Sequence, residues 1–247
     1  MTVSERTIRV ISFDLDNTLW DVDPVLHRAE AAQNDWLGQH FPRVFEQFDA
    51  DTLRDFRFST HQSHPELAHQ ISKLRVQALF EVLLHCGYPE TLSRQGAKTA
   101  FNEFLIIRHQ VEPYERALEV LESLAQHYTL GALSNGNADI YKTNIGEHFD
   151  FAFSAEQVDA SKPLPDMFHA AMRESGAACH EIIHVGDNPE HDVRGAQQVG
   201  LYTVWMNSGD WRWPAGRIPA DEDITVIEEL PAAIARIESR AAANAQP

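Results

Sequence analysis

Apolar residues along this chain follow two periods. Short, nearly continuous runs alternate with longer stretches in which they recur every three or four positions. The first run, Val10-Ile11-Ser12-Phe13, reads as a strand buried on both faces, because β-branched and aromatic side chains suit a covered pleated surface. It ends in Asp14-Leu15-Asp16-Asn17-Thr18. Beyond Trp20 the period becomes helical. Val22, Val25, Leu26, Ala29, Ala32, Trp36 and Leu37 share one face behind a start at Asp23-Pro24. A second pattern holds Leu67, Ile71, Leu74, Leu79, Val82 and Leu83, and stops at Gly87-Tyr88-Pro89. A third runs through Ala97, Ala100, Phe101, Phe104 and Leu105. No strand pattern interrupts residues 21–108, which read as an all-helical insertion.

From residue 109 strands and helices alternate. Ala117 to Leu124 is an amphipathic helix, Tyr128 to Leu133 a strand, about 138–146 a helix, and Phe151-Ala152-Phe153 a strand. A helix then carries Met167, Phe168, Ala171 and Met172, with Gly176 as its stop. Ile182 to Val185 and Tyr202 to Trp205 are strands, Leu230 to Ile237 is a last helix, and Ala241 to Pro247 reads as a frayed tail. Such alternation means βα units. The predicted fold is α/β: a parallel sheet with helices on both faces, made by residues 1–20 and 109–247, with the helical insertion 21–108 between them.

Composition narrows the partners. A formal net charge of −17 over 247 residues opposes binding to nucleic acid, which needs clustered Lys and Arg, and docking on an anionic membrane. A small anionic substrate stays admissible where a metal and a few basic side chains reverse the field locally. Two cysteines cannot form a disulfide framework, and no apolar run reaches membrane-spanning length. The expectation is a cytoplasmic protein, monomer or homodimer. His61, His64 and His69 fit no zinc spacing and read as solvated or packing residues.

Candidate chemistry sits where strands end. In an open parallel sheet the loops leaving the carboxyl ends share one edge, and ligands bind there. That edge should collect Asp14, Asp16 and Thr18 from one strand, Ser134, Asn135 and Gly136 from a second, Lys162 beyond a third, and Asp187 and Asp192 beyond a fourth. Taken singly, each has a plain reading: Asx-turn, turn, surface lysine, helix cap. Together, clustered carboxylates repel unless a hard cation lies among them, and Mg2+ suits carboxylates, waters and phosphate oxygens.

Asp14-Leu15-Asp16-Asn17-Thr18, then Ser134, then Lys162, then Gly186-Asp187 with Asp192, resembles the haloacid dehalogenase-like hydrolases over nearly the whole chain. The resemblance implies a Rossmann-like core with the first strand central, and it casts residues 21–108 as a type 1 cap. It implies Asp14 as a nucleophile that becomes an aspartyl-phosphate. Asp16 would protonate the leaving alcohol and then activate water. Ser134 and Lys162 would hold phosphate oxygens, with Thr18, Asn135 and Gly136 beside the substrate. Mg2+ would bind through Asp14, the Asp16 carbonyl and Asp187, with Asp192 acting through water or by orienting neighbours. Leu133 to Ala138, Ser161-Lys162-Pro163 and His184 to Asp187 look most like the branch acting on FMN and on 5-amino-6-(5-phospho-D-ribitylamino)uracil, with Arg75 as a candidate cap contact to substrate. The alternatives are another small phosphorylated metabolite (sugar phosphate, phosphoglycolate or nucleotide), a 2-haloacid, or a silent binding protein. Dehalogenases of the family lack the second aspartate, so Asp16 favours phosphate.

Overall fold

The structure, a computed structural model, describes residues 7–209 and 211–244. Six strands form one parallel sheet: β1 (Val10–Phe13), β2 (Thr129–Ser134), β3 (Phe151–Ser154), β4 (Ile182–Gly186), β5 (Tyr202–Met206) and β6 (Glu222–Ile224), in the order β3-β2-β1-β4-β5-β6. The first strand is therefore central, with Phe13 in register with Ala132 on one side and Val185 on the other. All four β1 residues are buried, as a strand covered on both faces requires.

The chain divides into two compact units, Met1–Asp21 with Glu112–Pro247, and Val22–Val111. The second is wholly helical among its described residues: α1 (Val22–His40), α2 (Arg43–Gln47), α3 (Ala50–Ser63), α4 (Ile71–His85) and α5 (Glu90–Arg108). Its core gathers Leu37, Phe41, Val44, Leu83, Ala100 and Phe104. Helix α3 lies outside the sequence patterns; its start is nonetheless coded by Asp49, whose side chain accepts from the Thr52 amide at 2.8 Å. Of the histidines in this unit, His64 is held by Glu66 at 2.9 Å and by Glu81 at 2.8 Å.

In the α/β unit, α6 (Ala117–Ala125), α7 (Ala155–Val158), α8 (Asp166–Ser175), α9 (Gly195–Gln198) and α10 (Leu230–Asn244) flank the sheet. Three expectations are corrected. Residues 138–146 form two single turns, Ile140–Lys142 and Gly146–His148, and not a helix. Asp139 caps the first turn by accepting from the Tyr141 amide at 3.2 Å, and the chain folds so tightly that a Cβ on Gly146 would lie 2.3 Å from the Ile140 carbonyl oxygen. The last helix continues through Ala241, which is buried, so the tail is ordered to Asn244; residues 245–247 lie outside the described residues. Strand β6 was not expected. It is three residues long with only Ile224 buried, too short for a period to show. No helix among the described residues is long and apolar enough to cross a membrane.

Candidate active site

Parallel register brings the loops after β1, β2 and β4 to one edge. The Asp14 amide donates to the Val185 carbonyl at 2.8 Å, which continues the ladder one residue past β1 and sets the first carboxylate directly beside β4. A cavity of about 190 Å³ opens there, lined by Asp14, Asp16, Asn17, Ser134, Asn135, Gly136, Lys162, Asp187, Asn188, His191 and Asp192. Every core residue singled out from the sequence is in that lining except Thr18, which is fully buried with its hydroxyl unpartnered in the fold. Arg75 lies in the helical unit, its guanidinium 3.9 Å over the Phe104 ring and 3.5 Å from Glu30. Burial lowers it to about 10, so it stays charged.

Lys162 is the hub. Its ammonium, buried, donates to Asp14 at 2.7 Å and to the Leu133 carbonyl at 2.5 Å, and pairs with Asp192 at 2.6 Å. A buried ammonium needs such partners, and here two carboxylates outweigh burial and raise its pKa. Its backbone is gripped by Asn135, which accepts from the Lys162 amide at 2.8 Å and donates to the Lys162 carbonyl at 3.0 Å. Asn135 thus ties the loop after β2 to the lysine 27 residues on.

Asp192 is anchored on every side. One oxygen faces Lys162 and, at 3.4 Å, His184; the other accepts from the Asn188 amide at 2.9 Å. Behind it, His184 Nδ1 meets the Ser12 hydroxyl at 2.9 Å. Burial works to raise the Asp192 carboxyl, but Lys162 and His184 prevail and hold it far below the ordinary range. Gly186 is obligatory here, because a Cβ would lie 2.3 Å from the Asp192 carboxyl carbon. Asp14 and Asp187 behave oppositely. Burial, aided by neighbouring carboxylates, raises Asp14 well above the usual value despite Lys162. Burial and Asp192 raise Asp187 to about 7.

These carboxylates pass a test for a hard cation. Asp14, Asp187 and Asp192 present ligand atoms all within 4.8 Å of one another. Two of the three resist ionisation without a cation, which is the signature of a site whose charge balance is incomplete. Asp16 stands slightly apart, its carboxylate accepting from the Trp20 indole at 2.9 Å. Ser134 Oγ accepts from the Gly136 amide at 3.0 Å, leaving its own proton to donate outward.

Residues 8–200 match the haloacid dehalogenase-like hydrolase family. The chain belongs to that family. Within the family, 5-amino-6-(5-phospho-D-ribitylamino)uracil phosphatase YigB of Escherichia coli is 29% identical over 199 residues, covering 81% of this chain and 83% of that protein. Phosphoserine phosphatase of Thermus thermophilus is 30% identical over 149 residues, 58% of each chain. Among solved structures, the 2-haloacid dehalogenase from Pseudomonas syringae pv. Tomato DC3000 superposes with a TM-score of 0.87 at 38% identity, over 93% of this chain and 99% of that one. For this member of the haloacid dehalogenase-like hydrolases, sequence reasoning passed over Trp20, Ser12 and the structural part of His184. A polar Ser and His in otherwise apolar strands, and a Trp four residues after an Asp, were the available signals.

Proposed function

We propose that this hydrolase is a Mg2+-dependent phosphomonoester phosphatase working through an aspartyl-phosphate on Asp14. The observation that carries the reading is the Lys162 ammonium 2.7 Å from the buried Asp14 carboxylate, inside one cavity that also holds Asp16, Ser134 and Asp187. Lys162 orients Asp14 and offsets its charge as an anionic ester approaches. Asp14 then attacks phosphorus in line, the ester P–O bond breaks, and Asp16 gives the departing oxygen its proton. Asp16, now a carboxylate, takes a proton from water, which attacks the same phosphorus and releases Asp14 and phosphate. The outward proton of Ser134 supplies a donor to a phosphate oxygen, and Lys162, whose three N–H bonds go to Asp14, Asp192 and the Leu133 carbonyl, would have to release one of them to supply a second. Mg2+, held by Asp14, the Asp16 carbonyl and Asp187, would neutralise charge developing on the transferring phosphoryl group. Asp192, saturated by Lys162, His184 and Asn188, fits a holding role more than direct ligation.

For substrate, the YigB likeness supports a ribitylaminouracil phosphate; FMN rests on the motif resemblance alone, with other small phosphorylated metabolites behind. Residues 22–111 correspond to the cap that the family resemblance implies. A second reading, 2-haloacid dehalogenation, has the 38%-identical dehalogenase in its favour. Asp16 speaks against it, since a halide leaves without a proton. The test is a screen of phosphorylated metabolites with Mg2+ and with EDTA, run beside halide release from 2-chloropropionate. Phosphate release lost on chelation is the expected result. Halide release without phosphatase activity would overturn the proposal.

A further inference from the structure

Beside the phosphate cavity the α/β unit opens a second, larger one of about 590 Å³, and the two share Asn17, Asp187 and Asn188. Its wall is aromatic, with Tyr114, Trp205 and Trp211 in the lining. Trp205 Nε1 donates to the Asp187 carbonyl at 2.7 Å, which ties this wall to the backbone of a candidate metal ligand. Trp213 braces Trp205 from the side, edge to face with ring centroids 5.0 Å apart.

Trp211 is the telling residue. It is 75% exposed, an unfavourable place for a large apolar ring, yet the loop holds it there. Asn207 accepts from the Trp211 amide at 2.8 Å and donates to the Trp211 carbonyl at 2.9 Å. Gly209 leaves room for the indole, since a Cβ there would lie 2.3 Å from Trp211 Nε1. With its backbone tied to Asn207 and its indole lying against Gly209, Trp211 presents an open ring at the cavity wall, as a stacking platform does. Ser208, Arg212 and Asp21 add polar groups to the lining.

We infer that this tryptophan-walled cavity takes a planar heteroaromatic ring, carried on the alcohol part of the phosphate ester, stacked on Trp211. The size suits a ring of that class, and the polar groups suit its carbonyl and N–H edges. The phosphate position rests on the phosphatase reading; the ring site rests on the cavity. Continuity across Asn17 and Asp187 puts ring and phosphate on one molecule.

The test compares Trp211→Ala and Trp211→Phe with the parent on FMN and on glycerol 2-phosphate, which has no ring. Trp211→Ala should lower kcat/KM for FMN at least about fivefold, through KM, by loss of one stacking platform. Trp211→Phe should restore most of it, and glycerol 2-phosphate should change less than twofold. A second readout does not need turnover: stacking quenches flavin fluorescence, so the parent should quench riboflavin and Trp211→Ala should not. If neither ester is hydrolysed while Trp211-dependent quenching persists, the phosphatase reading fails and the ring site stands. Equal losses on both esters, FMN no better a substrate than glycerol 2-phosphate, or quenching unchanged by Trp211→Ala would overturn the ring site.

Discussion

Replacing Lys162 with Met keeps most of the side-chain volume and removes only the ammonium. In the parent that ammonium satisfies Asp14, Asp192 and the Leu133 carbonyl at once, with its own side chain 1% exposed. Removing one partner of a buried pair typically costs about 3–5 kcal/mol, because the remaining charge is left uncompensated. Here two carboxylates are left. The pH dependence follows from the same contacts. With Lys162 present, Asp192 sits far below its ordinary pKa, so its stabilisation persists at every pH above the usual carboxylate range. Without Lys162, burial is opposed at Asp192 only by His184 and the Asn188 amide, and both acids rise. Acids raised by folding stabilise at low pH and lose that contribution as pH climbs through the folded value. Lys162→Met should therefore be about 3–5 kcal/mol less stable than the parent at pH 8, with a smaller deficit at pH 5.5. Urea denaturation followed by tryptophan fluorescence and circular dichroism measures both. Adding Asp192→Asn should recover part of the loss, since the double variant buries one charge fewer. A deficit under about 1 kcal/mol at pH 8, or one equal at the two pH values, would refute the role given to Lys162.

Asp16→Asn should leave ester binding largely intact and slow turnover by roughly 10²-fold or more, the usual scale for a general acid and base; unchanged kcat would place the proton transfer elsewhere. Asp187, at about 7 without metal, binds a proton that a cation must displace, so metal-free stability falls as pH rises through 7 while Mg2+ affinity grows. At pH 6 that proton costs Mg2+ about 1.4 kcal/mol, roughly tenfold in affinity. The Mg2+-induced rise in Tm should accordingly be larger at pH 8 than at pH 6, and Asp187→Asn should abolish it; equal rises at both pH values would remove Asp187 from the metal site. Arg75→Ala should lower Tm through loss of its stack on Phe104 and its pair with Glu30, and an unchanged Tm would deny both contacts a part in holding the helical unit.

What a stretch of chain can decide alone, it decided here. The β1 run ending in Asp14-Leu15-Asp16, the alternation beyond residue 109 and the uninterrupted helical period of 22–40 are patterns within one or two dozen residues, and solvent exposure imprints them directly. The topology rule then placed Asp14, Ser134, Lys162 and Asp187 on one edge without coordinates, because parallel strands must share a carboxyl end. Local competition was harder to read. Around residues 138–146 the Asp139 side chain and the close passage of Gly146 against Ile140 defeat a helix that spacing alone suggests. Only tertiary structure decided the rest. That Lys162 meets Asp14 across 148 positions, that Asp192 serves the lysine before any metal, and that Trp205 and Trp211 wall a cavity beside Asp187 depend on approach between distant segments. Such contacts leave no period in the sequence, since what matters there is a few tenths of an ångström of reach between side chains and the loss of water between them.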